Sequence, residues 1–391
     1  MGESEQVLVS IESSIASIDA ADWDACANPD PATYNPFLSH AFLNALEESG
    51  CVDATTGWLP QHLVLSDDGG AVNGVMPCYL KSHSQGEYIF DHGWADAYER
   101  AGGRYYPKLL SAVPFTPVTG RRFLVPDVPD AQDRARMLLA AAVQLTEQHD
   151  VSSFHANFVT EDEWTRLGKM GLLQRTDQQF HWQNDGYDTF DDFLDALASR
   201  KRKAIRRERR QALENDISIE WITASDLTEE HWDAFFEFYQ DTGARKWGLP
   251  YLNRAFFSLL GERMADGVML MLCRRDGETI AGALNMIGGD TLYGRYWGCT
   301  EHHPCLHFEV CYYQAIEYAI QHGLKHVEAG AQGEHKLARG YVPRTTYSVH
   351  HLPDAGFRRA VADYLDNERR YVAQTNEILG RHTPFKKGDT S

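Results

Sequence analysis

Five side chains able to move protons and carry charge, Glu334, His335, Lys336, Arg339 and Tyr341, fall within eight positions of the stretch EAGAQGEHKLARGYVP at 328–343. Transfer of an acyl group to an amine needs a base for the amine's proton, and Glu334 or His335 is a candidate. It also needs donors for the oxyanion that develops on the carbonyl, and Lys336, Arg339 and Tyr341 are candidates. Gly330 and Gly333 in front of them permit close backbone approach. Glu328, ending the strand pattern that leads in, is expected to face substrate.

The stretch YGRYWGCTEHHPCLHFE at 293–309 supplies a second set, Tyr296, Trp297, His303 and Glu309, expected to line a substrate pocket. Imidazoles at His302, His303 and His307 could ligate a metal, but a histidine at a turn more often caps or hydrogen-bonds, and no metal is expected. Glu309 also suits a helix start as a simple N-terminal acid. A third set is SRKRKAIRRERRQALE at 199–214, a helical run in which Arg202, Arg206, Arg207 and Arg210 could meet a polyanion. The alternative is neutralisation by the chain's own carboxylates.

The elements that must hold these groups follow one plan twice. Strand patterns at 62–65, 71–80 and 88–94, separated by Asp and Gly turn residues, match those at 269–272, 279–287 and 291–298. Each meander leads to a helical pattern, 131–148 or 308–321, then a His-containing turn and another strand, 153–158 or 326–329. A helix is predicted at 161–172, capped near Thr160 and stopped by Gly171, with a strand through Phe180 and Trp182 after it. The turn at 184–186 divides a first lobe, 1–185, from a second, 186–391, and a helical pattern at 357–379 closes the chain.

The chain has 391 residues, 43% of them hydrophobic, enough for two packed lobes. Seven scattered cysteines without a C-x-x-C pair read as reduced thiols. A formal charge of −19 argues against general affinity for nucleic acid or anionic membrane, which makes the basic run conspicuous. No membrane span is expected, because no apolar run approaches roughly 18 residues. The first residues lack a signal-peptide pattern, and Gln6 stands where a myristoylation signal has Ser or Thr, so a cytoplasmic location is expected.

The run HP-x-LHFE-x-x-YYQAIEYAI-x-HGL at 303–324, followed by EAGAQGEHKLARGY at 328–341, resembles the Fem-like, peptidoglycan-biosynthesis-associated group of the GNAT acyltransferase superfamily. The similarity extends over nearly the whole chain and includes PFTPVTGRR at 114–122, while EDEWTRLGKMGL at 161–172 is similar to the end of a GNAT domain. The resemblance implies an α/β (α+β) fold of two tandem GNAT-like lobes, each a mixed sheet flanked by helices, with the basic helix in the second half. It also implies an acyl- or aminoacyltransferase that takes its group from aminoacyl-tRNA or another phosphate-bearing donor and gives it to an amine. Lys336 resembles the lysine that Fem proteins carry ahead of a Gly-aromatic pair, here Gly340-Tyr341.

No cofactor is expected. Acetyl-CoA is disfavoured because neither 300–305 nor 126–130 carries the Gly-rich turn with which GNAT domains cradle pyrophosphate at a helix N-terminus. Two other readings remain: a CoA-dependent N-acyltransferase with a different pyrophosphate site, and a non-catalytic protein that binds a glycopeptide or small molecule.

Overall fold

The computed structural model describes residues 8–246, 250–330 and 333–386, and side chains throughout these except at 243–246 and 334. The chain forms two compact units. The first gathers the residues up to Pro31, Phe37–Asp177 and Thr345–Ala373; the second gathers Ala32–Pro36, Gln178–Arg344 and the residues from Gln374 onward. A single cut at 185 does not describe this division, since most of the closing helix, Ala355–Gly380, belongs to the first unit.

In the first unit the strands run in the order Trp58–Pro60, Tyr79–Lys81, Lys108–Ser111, Phe154–Val159 and then residues 347–351. Their pairings are antiparallel, antiparallel, parallel and antiparallel. Parallel neighbours need a long crossover, and Ala131–Gln148 provides it as a helix. Its Leu138, Leu139, Ala142 and Leu145 pack on Leu109, Phe154 and Ala156 of the sheet. A separate small sheet pairs Leu8–Glu12, His62–Ser66 and Val72–Met76.

The second unit repeats the order of pairings. Ser218–Thr223, Val268–Arg275, Glu278–Ile287 and Thr291–Cys299 are successively antiparallel. Thr291–Cys299 is then parallel to His326–Glu328, which pairs antiparallel with residues 181–183. The crossover here is Leu306–Phe308, a π-helical stretch Glu309–Gln314 and Ala315–Gln321. The order of pairings thus repeats, and in the second unit the strands of the meander are those read from the sequence. In the first unit the expected strands at 62–65 and 71–80 fall largely in the small sheet, and Trp58–Pro60, Tyr79–Lys81 and Lys108–Ser111 take their place.

One expected strand is absent. The pattern at 88–94 resolves into a bend with Tyr88 at φ 59° and a helix, His92–Arg100. Its cause is a buried charge cluster: Lys108 Nζ, fully buried, pairs with Glu87 at 2.7 Å and with Asp91. Asp91 also accepts from the Tyr105 hydroxyl at 2.6 Å. Bringing both carboxyls onto one ammonium requires the chain to turn, because a continuous strand would hold residues four apart at about 13 Å from one another. Burial raises Glu87 to about 7 despite its ion pair. For Asp91 burial acts in the same direction, but Lys108 outweighs it and holds the carboxyl below the usual range.

Lys81 is buried beside this cluster, its ammonium 3.6 Å from the Trp58 ring centroid and 3.4 Å from the Gln85 carbonyl. Burial pushes it down to about 7, against the attraction of Glu87. A folded-state value below that of the unfolded chain means that the unfolded chain binds the extra proton between about pH 7 and 10.5. This group's contribution therefore becomes more favourable as pH rises through that window, and its cost is full below it. Lys81→Met is accordingly expected to be more stable than wild type by about 1–4 kcal/mol at pH 6.5, with the gap closing toward pH 10. Urea denaturation across that range checks this; a gap independent of pH would refute it.

Candidate active site

In both units the parallel strand pair begins in register and then parts. In the first unit the pairing ends at Ser111 and Ala156. Beyond it the Phe158 carbonyl accepts from Gly120 N–H at 3.0 Å, and Arg122, fully buried, donates to the Val118 carbonyl at 2.7 Å. The PFTPVTGRR segment thus takes up the Phe158 carbonyl beyond the parting strands, and Arg122 closes the segment on itself.

In the second unit the parallel pairing ends at Tyr293 and Glu328. Thr291–Cys299 continues along its antiparallel neighbour, while the other strand turns away through Gly330 at φ 75°. Gln332 lies outside the described residues. The chain returns as a 3-10 helix, Glu334–Arg339, which brings Lys336 back to the point of divergence, its Nζ donating to the Gly330 carbonyl at 2.9 Å. Lys336 is 2% exposed, and burial pushes its ammonium down to about 8. Of its three N–H groups, one is used by this bond, leaving two to meet an incoming carbonyl oxygen.

His335 and Arg339 stand on the same turn. His335 Nε2 lies 2.9 Å from the Tyr312 hydroxyl, and burial lowers its basicity. Arg339 donates to the His335 carbonyl at 2.8 Å and to Glu208 at 3.0 Å, with its guanidinium 3.5 Å over the Phe308 ring. Tyr341 is fully buried and donates to the Tyr312 carbonyl at 3.3 Å, so its hydroxyl secures the turn from beneath. The Glu334 side chain lies outside the described residues.

The π-helical stretch adds a residue to one turn, a feature frequent at functional sites. It presents Tyr312 to His335 and turns Glu309 inward, fully buried, onto Arg209 at 2.9 Å and Gln314 at 2.8 Å. Glu309 is therefore a buried ion-pair partner of the basic helix rather than an open helix-start acid. Trp297 lies against His307 with ring centroids 5.4 Å apart, and His307 against Tyr312 at 5.5 Å. Tyr296 packs apart from these on Tyr239 at 5.1 Å, and His303 Nε2 lies 2.9 Å from Glu301.

Glu328 belongs to a group of which the sequence reading named no other member. Its carboxylate pairs with Arg295 at 3.1 Å and lies 4.0 Å from His181 Nε2. The alternation Gln179, Phe180, His181, Trp182 was the available signal, since it assigns Gln179 and His181 to one face and the core aromatics to the other.

The basic helix, Ser199–Ala212, uses its charges in two ways. Arg209 is committed to Glu309 and Glu317, Arg202 pairs with Asp195 at 2.8 Å, and Arg206 with Asp191 at 3.0 Å. Arg207 and Arg210 are exposed and carry no ion pair among the described residues.

The strand order defines a mixed α/β protein of two units, each a mixed sheet with a helical crossover between its parallel strands. A family model described as FemAB-like, peptidoglycan biosynthesis/recognition, matches residues 14–387, and the chain belongs to that family. Among solved structures it is similar to FemX, at 14% identity and TM-score 0.55, covering 88% of this chain and 98% of FemX. It is similar also to L-PGS from Bacillus licheniformis, at 9% identity and TM-score 0.50, covering 91% and 98%. A third is a conserved protein of unknown function from Bacteroides thetaiotaomicron, at 12% identity and TM-score 0.54, covering 88% and 99%. At these identities the likeness is one of fold. None of the curated proteins matches the chain. No helix among the described residues is long and apolar enough to cross a membrane.

Proposed function

We propose that the protein is an acyltransferase of the aminoacyl type, joining an activated carbonyl to an amine where the strands of the second unit part. The observation that carries this reading is the return of Lys336 to the divergence beyond Tyr293 and Glu328, with ammonium hydrogens left over. In this reading the amine attacks an ester carbonyl, the C–N bond forms, the ester C–O bond breaks, and Lys336 stabilises the oxyanion. At pH 7 a group whose value lies near 8 is mostly charged, as this role requires. Arg339 positions His335 and the turn through its two hydrogen bonds. Trp297 and the rings around Tyr312 line the approach.

Aminoacyl-tRNA is the donor that fits the basic helix, and the peptidoglycan assignment of the family suits an acceptor amine on a muropeptide. If Arg206, Arg207 and Arg210 meet about three phosphates, affinity for charged tRNA falls roughly 40-fold between 50 and 200 mM salt. The triple reversal Arg206→Glu, Arg207→Glu, Arg210→Glu then weakens binding and flattens that slope. Arg209 stays untouched because it neutralises the buried Glu309. Mobility shift across a salt series, beside a melting curve, measures both. A well-folded wild type that binds no tRNA at low salt removes this donor.

A further inference from the structure

Three strands of the second unit place one polar group on a common face. His181 is the Cα partner of Glu328, and Glu328 of Tyr293. Arg295, two residues beyond Tyr293, lies 5.1 Å over its ring. The opposite face of the same strands carries Trp182, Val327 and Leu292, all in the apolar core. Two residues before His181 on the polar face is Gln179, whose Oε1 lies 3.0 Å from His181 Nε2. Both atoms near Nε2, Gln179 Oε1 and Glu328 Oε1, are acceptors, so the ring hydrogen sits on Nε2. Nδ1 is then a lone pair without a partner among the described residues, on a side chain that is 17% exposed.

We infer that His181 is a catalytic residue, the acceptor for the proton that the attacking amine loses, with Gln179 and Glu328 as positioning residues. The inference rests on the transferase reading and deepens it. When the amine nitrogen bonds to the carbonyl carbon, its surplus proton passes to Nδ1, and the imidazolium is balanced by the Glu328 carboxylate. The ester C–O bond breaks as the oxyanion collapses, and the same proton passes from Nδ1 to the departing oxygen, leaving amide, alcohol and neutral imidazole. Gln179 orients the ring through the hydrogen bond on Nε2, and Glu328, at 4.0 Å, acts on the imidazolium by its charge. His335 is less suited to the step, since the Tyr312 hydroxyl can donate to or accept from its Nε2 and so does not fix its tautomer, whereas two acceptors fix that of His181. Burial lowers the His181 imidazole; Glu328 opposes this, and Arg295, Arg344 and Lys336 add to it, so the ring is neutral and able to accept at pH 7.

Two measurements on the full chain test the assignment. In protein labelled with 15N-histidine, with the signal identified by its loss in His181→Asn, the expected tautomer is Nε2–H with protonation below the ordinary imidazole range. An Nδ1–H tautomer overturns the inference whatever the activity. In transfer of a labelled amino acid from charged tRNA to a lysine-containing muropeptide, His181→Asn is expected to lower kcat by about 100-fold with KM for tRNA unchanged. It should also abolish an acid limb in the kcat profile whose midpoint matches the NMR titration, and added imidazole should restore part of the rate. Glu328→Gln should move that limb to lower pH. A wild type that transfers while His181→Asn keeps both rate and limb leaves the transferase reading standing and removes His181. A wild type that transfers from no charged tRNA removes the reading and the inference together.

Discussion

Replacement of Lys336 with methionine is expected to lower kcat for transfer by about 10²–10³-fold, the usual cost of removing one preorganised oxyanion donor. The fold should tolerate the change. Lys336 is 2% exposed with one hydrogen bond to a carbonyl, and methionine fills similar volume without the burial cost that brings the ammonium down to about 8. The melting temperature should therefore hold or rise while activity falls, a combination that a structural lysine would not give. The Gly330 carbonyl loses its partner, which sets a modest limit on any gain. Lys336→Met with wild-type kcat would falsify its role at the oxyanion.

The largest effect on stability is expected at Lys108. Lys108→Met leaves the Glu87 and Asp91 carboxyls, 1% and 3% exposed, without the cation that compensates both. Breaking a buried pair from one side costs about 3–5 kcal/mol because the remaining charge has no water to turn to. Here two carboxyls share one ammonium, and Glu87, already raised to about 7, can shed part of the cost by taking up a proton. The loss should consequently be smaller at pH 5.5 than at pH 8. A triple variant that also carries Glu87→Gln and Asp91→Asn should recover most of it. Denaturant unfolding of the three proteins at both pH values provides the check, and a loss below about 1 kcal/mol for the single change would show that the cluster is not closed to solvent.

These two lysines also show what the sequence could and could not convey. The strands Val268–Arg275, Glu278–Ile287 and Thr291–Cys299 were legible because short runs of apolar, β-branched and aromatic residues lie between clear turn signals. The helix Glu161–Lys169 was legible in its capping box, in which Thr160 and Glu163 satisfy one another's backbone groups. Lys336 stood out through its polar neighbours after glycines. Lys108 did not: it opens a strand, Lys108–Ser111, that the sequence reading passed over, and nothing local announces that Glu87 and Asp91 arrive from an earlier loop to meet it. The strand expected at 88–94 failed for the same reason, since its apolar letters are those of a strand while a long-range ion pair decides its path. Glu309 was misjudged likewise, because its partner Arg209 lies a hundred positions earlier in the chain. His181 was in view as part of an aromatic strand, yet its role depends on Gln179 beside it and Glu328 across from it, a pairing that register alone reveals.

The strand Phe154–Val159 receives its antiparallel neighbour from residues 347–351, and the helix that packs Phe357, Val361 and Leu365 against Trp94 and Tyr105 comes later still. On a ribosome adding about 5–20 residues per second, the strand waits roughly 10–40 s for that neighbour after it has been made. Its N–H and C=O groups on that side are meanwhile an open edge of the kind that recruits other chains. The first half of this protein therefore cannot mature before the second half is synthesised, and a product shortened to residue 340 carries an unfinished sheet at its amino end rather than at its cut end.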